Sequence, residues 1–245
     1  MAVLFTGFED CLSQIPLFLE SFVKVSLLCA IIAMIISLVI GTITGLMGTS
    51  KRLLIRGISR VYVEFFQNTP IIIILFFLFA FSPYVFGKAV DTFQIGTLVL
   101  GVYTGAYMCE IIRSGIASIS KGQEEAAASQ GFNYWQTLRY IILPQAIRVV
   151  VPPLTTQIVG IIKNTSILQT IAVADLMYQA EVWTSYSGHA GPSYIISAII
   201  YFIACYPLTM LSRYFEKKYS SGYSTNKVKK KITSKIKQIQ IEEEV

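Results

Sequence analysis

The 245-residue sequence is too apolar for a water-soluble globular protein, because 54% of its residues are hydrophobic and only 14% are charged. The formal net charge of +6 does not indicate a nucleic-acid partner, since the basic residues flank apolar segments and form no basic stripe with interleaved aromatics. The four cysteines stand singly without C-x-x-C spacing, which excludes a disulfide-rich secreted chain and predicts buried thiols.

Five apolar segments predict an all-α integral membrane protein with five transmembrane helices. About 20 residues at about 1.5 Å each cross a hydrocarbon layer of about 30 Å. The predicted spans are, in chain order, 22–47, 61–86, 93–112, 149–173 and 195–211. The corresponding domains are an external segment 1–20, a transmembrane domain 21–218 and a charged cytoplasmic tail 219–245.

The positions of Lys and Arg predict the orientation of the chain. All but three of the 20 Lys and Arg residues lie after the first, third and fifth spans. The exceptions are Lys24, Lys88 and Lys163. Basic residues favour the cytoplasmic side, so we expect the N-terminus outside and the C-terminus in the cytoplasm. The tail is expected to be solvated and partly disordered, and contact between its lysines and anionic membrane lipid is the alternative.

Glycine pairs in two spans predict close helix packing. Gly41 and Gly45 lie four residues apart in the first span, and Gly101 and Gly105 repeat this spacing in the third. Small residues at this spacing let two helix backbones approach each other closely in a membrane.

The cytoplasmic segment 114–148 is long enough to require a function of its own. Its pattern predicts two short helices. The first covers 123–130 and is closed by Gly131, and the second covers 134–143, follows an asparagine N-cap and is stopped by Pro144. Three consecutive alanines make one surface of the first helix smooth enough for close approach by another protein.

The same segment resembles the EAA motif of bacterial ABC import permeases. The match consists of Glu125-Ala126-Ala127-x-x-x-Gly131, nine residues, and Ile141-x-Leu143-Pro144. Flanking residues resemble the polar amino-acid permeases of the histidine and glutamine type, namely Asn68-Thr69-Pro70, Lys121-Gly122-Gln123 and Leu143-Pro144-Gln145-Ala146. The chain departs from that family at Gln67-Asn68, where R-G is frequent, so a role for a positive charge there does not carry over.

This resemblance implies a type I ABC importer permease in a bacterial cell membrane, moving a polar amino acid inward by alternating access. The EAA segment would dock a separate cytoplasmic ATPase, present in two copies, which would bind ATP and Mg. Further implied partners are a second permease subunit, identical or a close paralogue, and an extracellular or periplasmic solute-binding protein. The chain itself would bind no cofactor and catalyse no reaction.

The residues themselves give no sign of catalytic or metal chemistry. The sequence has no G-x-x-x-x-G-K-[ST] phosphate loop, and its single histidine, His189, has no carboxylate or cysteine at metal-ligand spacing. A membrane-embedded enzyme is therefore disfavoured. An ion channel or an ion-coupled secondary carrier remains as the alternative, but it would leave the EAA segment unexplained.

Two polar clusters inside spans are candidates for a solute pathway, because polar groups in a membrane are costly and often functional. They are Gln67, Asn68, Thr69 and Pro70 in the second span, and Lys163, Asn164, Thr165 and Ser166 in the fourth. Counting from Val61 at about 1.5 Å per residue places Pro70 about 13 Å into the membrane. We expect a broken helix there. The alternative for the second cluster is that Asn164, Thr165 and Ser166 form bonds between helices while Lys163 neutralises a nearby acid.

Three further charged residues lie nearer the cytoplasmic boundary. Glu64 is one, and Glu110 and Arg113 form an i, i+3 pair on one helix face. We interpret them as an inner gate or as structural ion pairs.

Overall fold

The computed structural model describes residues 7–88 and 90–220, and these residues are almost entirely helical. Short turns join the helices, and the described part of the chain contains no strand. The α-helices are α1 (Phe8–Leu12), α2 (Ile15–Ser21), α3 (Leu28–Gly48), α4 (Leu53–Asn68), α5 (Ile71–Phe86), α6 (Thr92–Ala117), α7 (Lys121–Ser129), α8 (Tyr134–Thr137), α9 (Leu143–Asn164), α10 (Leu176–Ser187) and α11 (Ala190–Ser220). Two π-helical segments, Phe22–Leu27 and Leu138–Ile142, and a 3-10 segment, Thr165–Ile171, continue neighbouring helices.

Helices long and apolar enough to cross a membrane confirm the expected fold class. Four continuous helices qualify, and α4 and α5 together form a fifth candidate that is bent by 102°. The four are Ile15–Gly48, Thr92–Ala117, Tyr134–Ile171 and Ala190–Tyr219. The last helix extends beyond the predicted 195–211 at both ends. The predicted tail lies outside the described residues from position 221 onward, as do residues 1–6 of the predicted external segment.

The second span is broken where the sequence predicted, but its geometry differs from the expected one. Pro70 lacks an amide donor and disfavours helical backbone at Thr69, which is extended with φ −111° and ψ 129°. The helix before the break begins at Leu53 and not near Val61, and the chain then turns by 102°. Counting along a straight helix therefore does not give the depth of Pro70.

The prediction that Pro144 stops a helix is wrong, because helical structure runs without interruption from Tyr134 to Ile171. The π-helical segment Leu138–Ile142 precedes the proline and shifts the hydrogen-bond register. The Leu143 amide donates to the Leu138 carbonyl five residues earlier. Pro144 then occupies the first turn of α9, where a missing amide donor costs little. The second half of the segment 114–148 is thus continuous with the fourth span.

The glycine pairs pack α3 against α6 within one chain. A methyl group added at Gly41 would lie 2.6 Å from Met108 Cβ and 3.0 Å from the Gly105 carbonyl oxygen. One added at Gly101 would lie 2.7 Å from Ile36 Cβ. Such distances leave no room for a side chain, so these glycines let the two backbones approach each other closely. The four cysteines are buried as predicted.

We expect Gly41→Ala to destabilise the protein, because its methyl group must displace Met108 or move the backbones of α3 and α6 apart. Overpacking of this kind typically costs about 1–3 kcal/mol. The matched control is Gly57→Ala, since an added methyl at Gly57 meets nothing within 4 Å. Thermal unfolding in detergent should give a lower midpoint for the first variant and an unchanged or higher one for the second. Equal midpoints would contradict the proposed close contact.

Candidate functional site: the helical segment with the EAA motif and two polar cavities

The helix α7 and the turn after it confirm the first helix predicted in the cytoplasmic segment. Gly131 has a φ of +82°, in the left-handed region that favours glycine. The Phe132 amide donates to the Ala127 carbonyl at 3.1 Å, and the Gly131 amide donates to the Ala128 carbonyl at 3.0 Å. These two bonds form a Schellman motif that satisfies the free carbonyls of the helix end.

The residues of the EAA segment are divided between a packed side and an exposed side. Ala127 is only 1% exposed, whereas Glu125 and Ala126 are exposed. The helix packs against α8 and the following π-helical segment, and Gln145 Nε2 donates to Gln123 Oε1 at 3.4 Å. Ala127 therefore anchors α7 on the start of the long fourth span and leaves the side chains on either side of it accessible.

The second half of the motif continues this exposed surface. Leu143 is 38% exposed and Pro144 is exposed, both at the start of α9. Asn133 forms a capping box with Gln136 at the start of α8, which fixes the direction in which that helix leaves the turn.

Exposed aromatic residues beside the motif were missed by the sequence analysis. Trp135 is 73% exposed, and Tyr134 and Tyr140 are also largely exposed. Trp135 and Tyr134 pack edge to face with ring centroids 5.4 Å apart. Large rings are common at membrane surfaces and in protein interfaces. Their position directly after the helix cap was the available signal in the sequence.

A polar cavity of about 460 Å³ lies between α4 and α6 and brings together residues predicted separately. Glu64, Gln67, Glu110 and Arg113 all line it. Arg113 Nε donates to Glu110 Oε2 at 2.9 Å, and Arg113 Nη2 donates to Glu110 Oε1. A two-pronged pair of this kind fixes the orientation of both side chains.

Other groups of the first polar cluster bond locally or face elsewhere. Asn68 Nδ2 donates to the Glu64 carbonyl at 2.7 Å and to Glu64 Oε2 at 3.1 Å, all within α4. Gln67 Nε2 donates to the Ala106 carbonyl at 3.3 Å. Thr69 lines an apolar cavity of about 500 Å³, and Pro70 accepts the Ile73 amide at the start of α5.

The second polar cluster lines a separate cavity of about 340 Å³ at the end of α9. Lys163 and Ser166 border it together with Tyr201 and Ser197 of α11. Ser197 is buried, and its hydroxyl has no hydrogen-bond partner among the described residues. Asn164 does not line this cavity and is half-buried, whereas the next residue, Thr165, is fully buried. This single chain therefore places the two predicted pathway clusters in different cavities.

Thr165 is the member of this cluster that is buried inside the helix bundle. Thr165 Oγ1 donates to the Ile162 carbonyl at 2.8 Å and lies 3.4 Å from the Tyr201 hydroxyl. The alternative role predicted for Asn164, Thr165 and Ser166, bonding between helices, therefore fits Thr165.

A buried carboxylate, Asp175, was not singled out by the sequence analysis. It is 0% exposed and caps α10, where Asp175 Oδ1 accepts the Tyr178 amide at 2.8 Å. Its Oδ2 atom has no hydrogen bond among the described residues. Burial raises the pKa of the Asp175 carboxyl to about 6, although the amide donors of α10 oppose this rise.

Several apolar spans, a broken helix and polar cavities within the bundle are the combination expected of a membrane transport protein. A family comparison gives the specific assignment. Residues 37–221 match the family described as "Binding-protein-dependent transport system inner membrane component", and the chain belongs to this family. It is therefore a multi-pass transport permease of the bacterial cell membrane.

Individual relatives agree with this family. The chain is 40% identical over 198 residues to the "Probable glutamine ABC transporter permease protein GlnM" of Bacillus subtilis (strain 168), covering 81% of this chain and 91% of the relative. It is 32% identical over 190 residues to the "Glutamate/aspartate import permease protein GltJ" of Escherichia coli (strain K12), covering 73% of this chain and 77% of the relative.

Solved structures support the fold. A chain from the "Crystal structure of an amino acid ABC transporter with histidines" aligns with a TM-score of 0.79 and 31% identity, covering 86% of this chain and 98% of that one. A chain of the MetNI methionine ABC transporter in an inward-facing conformation aligns with a TM-score of 0.64 at 17% identity, which supports the fold alone. The type I ABC importer permease fold expected from the EAA motif is thus confirmed.

The raised pKa of Asp175 predicts a pH-dependent stability. Because the folded protein binds this proton more tightly than the unfolded chain does, the stabilising effect of protonation is full below about pH 4 and disappears as the pH rises through about 6. Thermal midpoints in detergent should therefore be higher at pH 5 than at pH 7.5. Between these two pH values the part due to Asp175 is about 1 kcal/mol, because pH 5 lies about one unit below the raised pKa.

The control variant is Asp175→Asn, which keeps a side chain able to cap α10 but does not titrate. Its midpoint should change less between the two pH values than that of the unchanged protein. An identical pH dependence in both proteins would contradict the assignment.

Proposed function

We propose that this chain is the transmembrane permease subunit of an ATP-driven bacterial importer that moves a polar amino acid inward by alternating access. The observation that carries the proposal is α7, an exposed alanine-rich helix anchored through Ala127 and closed by Gly131. Membership of the binding-protein-dependent transport family and the names of the amino-acid permease relatives support it. The substrate changes sides without chemical change, so the chain is not an enzyme.

We propose further that α7 and the start of α9 form the docking surface for a cytoplasmic ATPase. The contributing residues are Glu125, Ala126, Ala127, Gly131, Leu143 and Pro144. Helical structure runs from Tyr134 to Ile171, with Pro152 and Pro153 inside it, so a displacement of α7 would reach the cavity at Lys163 along one continuous helical element. ATP and Mg would bind to the ATPase and not to this chain.

The proposed assembly contains two copies of that ATPase and two permease subunits, either identical or closely related. A solute-binding protein would deliver the amino acid from the outer side, with the N-terminus of the permease outside and its C-terminus in the cytoplasm. This orientation puts α7 on the side where ATP is available. Pairing of two permease subunits would also give the apolar α5 a protein neighbour.

The cavity at Lys163 is our candidate for solute contact. Its ammonium group suits the α-carboxylate of an amino acid, and the unpartnered hydroxyl of Ser197 is a second donor in the same cavity lining. The Ser166 hydroxyl already donates to the Lys163 carbonyl at 2.8 Å. The cavity lined by Glu64, Gln67, Glu110 and Arg113 is our candidate for the inner gate. An ion channel or an ion-coupled carrier would explain the broken helix and the polar cavities, but not α7.

Adding a large charged side chain at Ala126 should prevent docking of the ATPase. For Ala126→Arg we expect at least a tenfold loss of solute-stimulated ATP hydrolysis, together with weaker co-purification of the ATPase. Ala128→Arg is the matched control, because Ala128 is also exposed on α7 but occupies a variable position of the motif. Normal coupling in Ala126→Arg, or equal loss in both variants, would count against the proposed docking surface.

Removing the charge at Lys163 should weaken solute binding in the cavity. A hydrogen bond to a charged group typically contributes about 1.5–3 kcal/mol, so Lys163→Met should raise the half-saturating solute concentration for uptake by roughly tenfold or more. Lys24→Met is the control, since Lys24 is exposed and pairs only with Glu20 four residues away. Uptake by proteoliposomes containing the whole assembly gives the measurement.

Two neighbouring variants complete this experiment. Asn164→Ala and Thr165→Val test whether the rest of the cluster contributes to solute affinity or only to helix packing. If all three variants keep the affinity of the unchanged protein, the cavity has no role in solute contact.

A further inference from the structure

The short helix α10 (Leu176–Ser187) is enclosed by parts of the chain that are distant in sequence. It packs against α2 and the π-helical segment Phe22–Leu27 of the first span, against the 3-10 segment Thr165–Ile171, and against α11. Leu176 and Ala180, on its inner face, are fully buried. The helix is therefore seated between the first, fourth and last spans.

Hydrogen bonds at the start of α10 tie it to the first span. The Leu176 amide donates to Ser26 Oγ at 3.3 Å, across 150 positions of sequence. In the same first helical turn, the Tyr178 amide donates to Asp175 Oδ1 at 2.8 Å. The position of this helix end thus depends on two side chains from different parts of the fold.

The side chain of Tyr201 connects these parts. Its ring packs edge to face on Phe22, with centroids 5.4 Å apart. Its hydroxyl lies 3.4 Å from Thr165 Oγ1, and it is close to the Asp175 carboxylate and the Ser26 hydroxyl without a well-formed hydrogen bond to either. One phenol of α11 therefore reaches the first span, the end of the fourth span and the cap of α10.

Tyr201 also borders the cavity that contains Lys163. Met177, the second residue of α10, lines the same cavity. A change in the position of α10 would therefore change one wall of the cavity, and the side chain that holds α10 in place is itself another part of that wall.

The contacts at the start of α10 leave one buried polar atom without a hydrogen bond among the described residues. Asp175 is fully buried, yet its Oδ2 atom has no well-formed hydrogen bond among the described residues. A buried polar atom without a partner lowers the stability of the arrangement that buries it. Because its packed position is incompletely hydrogen-bonded, α10 is suited to move away from the first span and to return during a transport cycle.

We propose that Tyr201 is a positioning residue whose hydroxyl keeps α10 seated and thereby closes the Lys163 cavity on one side. Release of this contact lets α10 move away from the first span and opens that wall. The seating of α10 stands on the contacts alone, whereas its consequence for transport rests on the function proposed above.

The test uses Tyr201→Phe, which keeps the ring on Phe22 and removes only the hydroxyl. Hydrogen exchange of the backbone amides at the start of α10 should become at least tenfold faster in the purified full-length protein. In the assembled transporter, solute stimulation of ATP hydrolysis should fall at least threefold. Ser26→Ala, which removes the acceptor of the Leu176 amide, should accelerate the same exchange.

The matched control is Tyr206→Phe, because Tyr206 lies on the same helix, is half-exposed and stacks on Phe202. It should leave both exchange and stimulation unchanged. Unchanged exchange in Tyr201→Phe and Ser26→Ala, or equal acceleration in Tyr206→Phe, would overturn the proposal. Faster exchange with normal stimulation would also overturn it, since the seat would then not matter for transport.

The exchange experiment does not depend on transport. If the unchanged assembly showed no amino-acid uptake, the function proposed above would fail. The exchange rates would still decide whether Tyr201 holds α10.

Discussion

The lack of water in a lipid bilayer is the constraint on which the rest of this structure depends. Backbone groups in hydrocarbon must find partners within the protein, so the chain crosses as helices, and interruptions are confined to places covered by protein or facing a cavity. The turn at Thr69 and Pro70 lies beside a cavity, and the 3-10 segment after α9 is packed against α5, α6 and α10. Irregular backbone and polar side chains therefore occur together, and these places are the candidates for solute movement.

Two helical arrangements lie next to these irregular segments: the pair of α3 and α6, and the long helical run that includes α9. The glycines of α3 and α6 allow a close backbone contact, which makes this helix pair a firm support for the bundle. The helical run from Tyr134 to Ile171 is the other arrangement, and it joins the surface beside α7 directly to the residues around Lys163. A continuous helix transmits movement along its length better than two pieces joined by a flexible turn. The proposed route from the ATPase to the solute cavity therefore runs along a single helical element, Tyr134–Ile171.

Much of the candidate site could be predicted because its determinants are local. Gly131 predicted a left-handed turn, and Pro70 predicted a break, since both effects depend on one residue and its neighbours. Pro144 was misjudged because a preceding π-helical turn supplies a register in which the proline fits, and no local pattern revealed that turn. Asp175 was overlooked because it is buried only where the start of α10 meets the first span and Tyr201, which are far away in sequence.

The sequence by itself determined the membrane class, the approximate spans, the turn at Gly131 and the motif that marks the segment between the third and fourth spans. These features follow from hydrophobicity and backbone preferences, which act over a few residues. Only the tertiary structure decided that Glu64 and Gln67 share a cavity with Arg113, that Lys163 lies in another, and that Tyr201 meets the cap of α10. Such contacts depend on how helices cross, and crossing is fixed by packing between side chains that are distant in the chain.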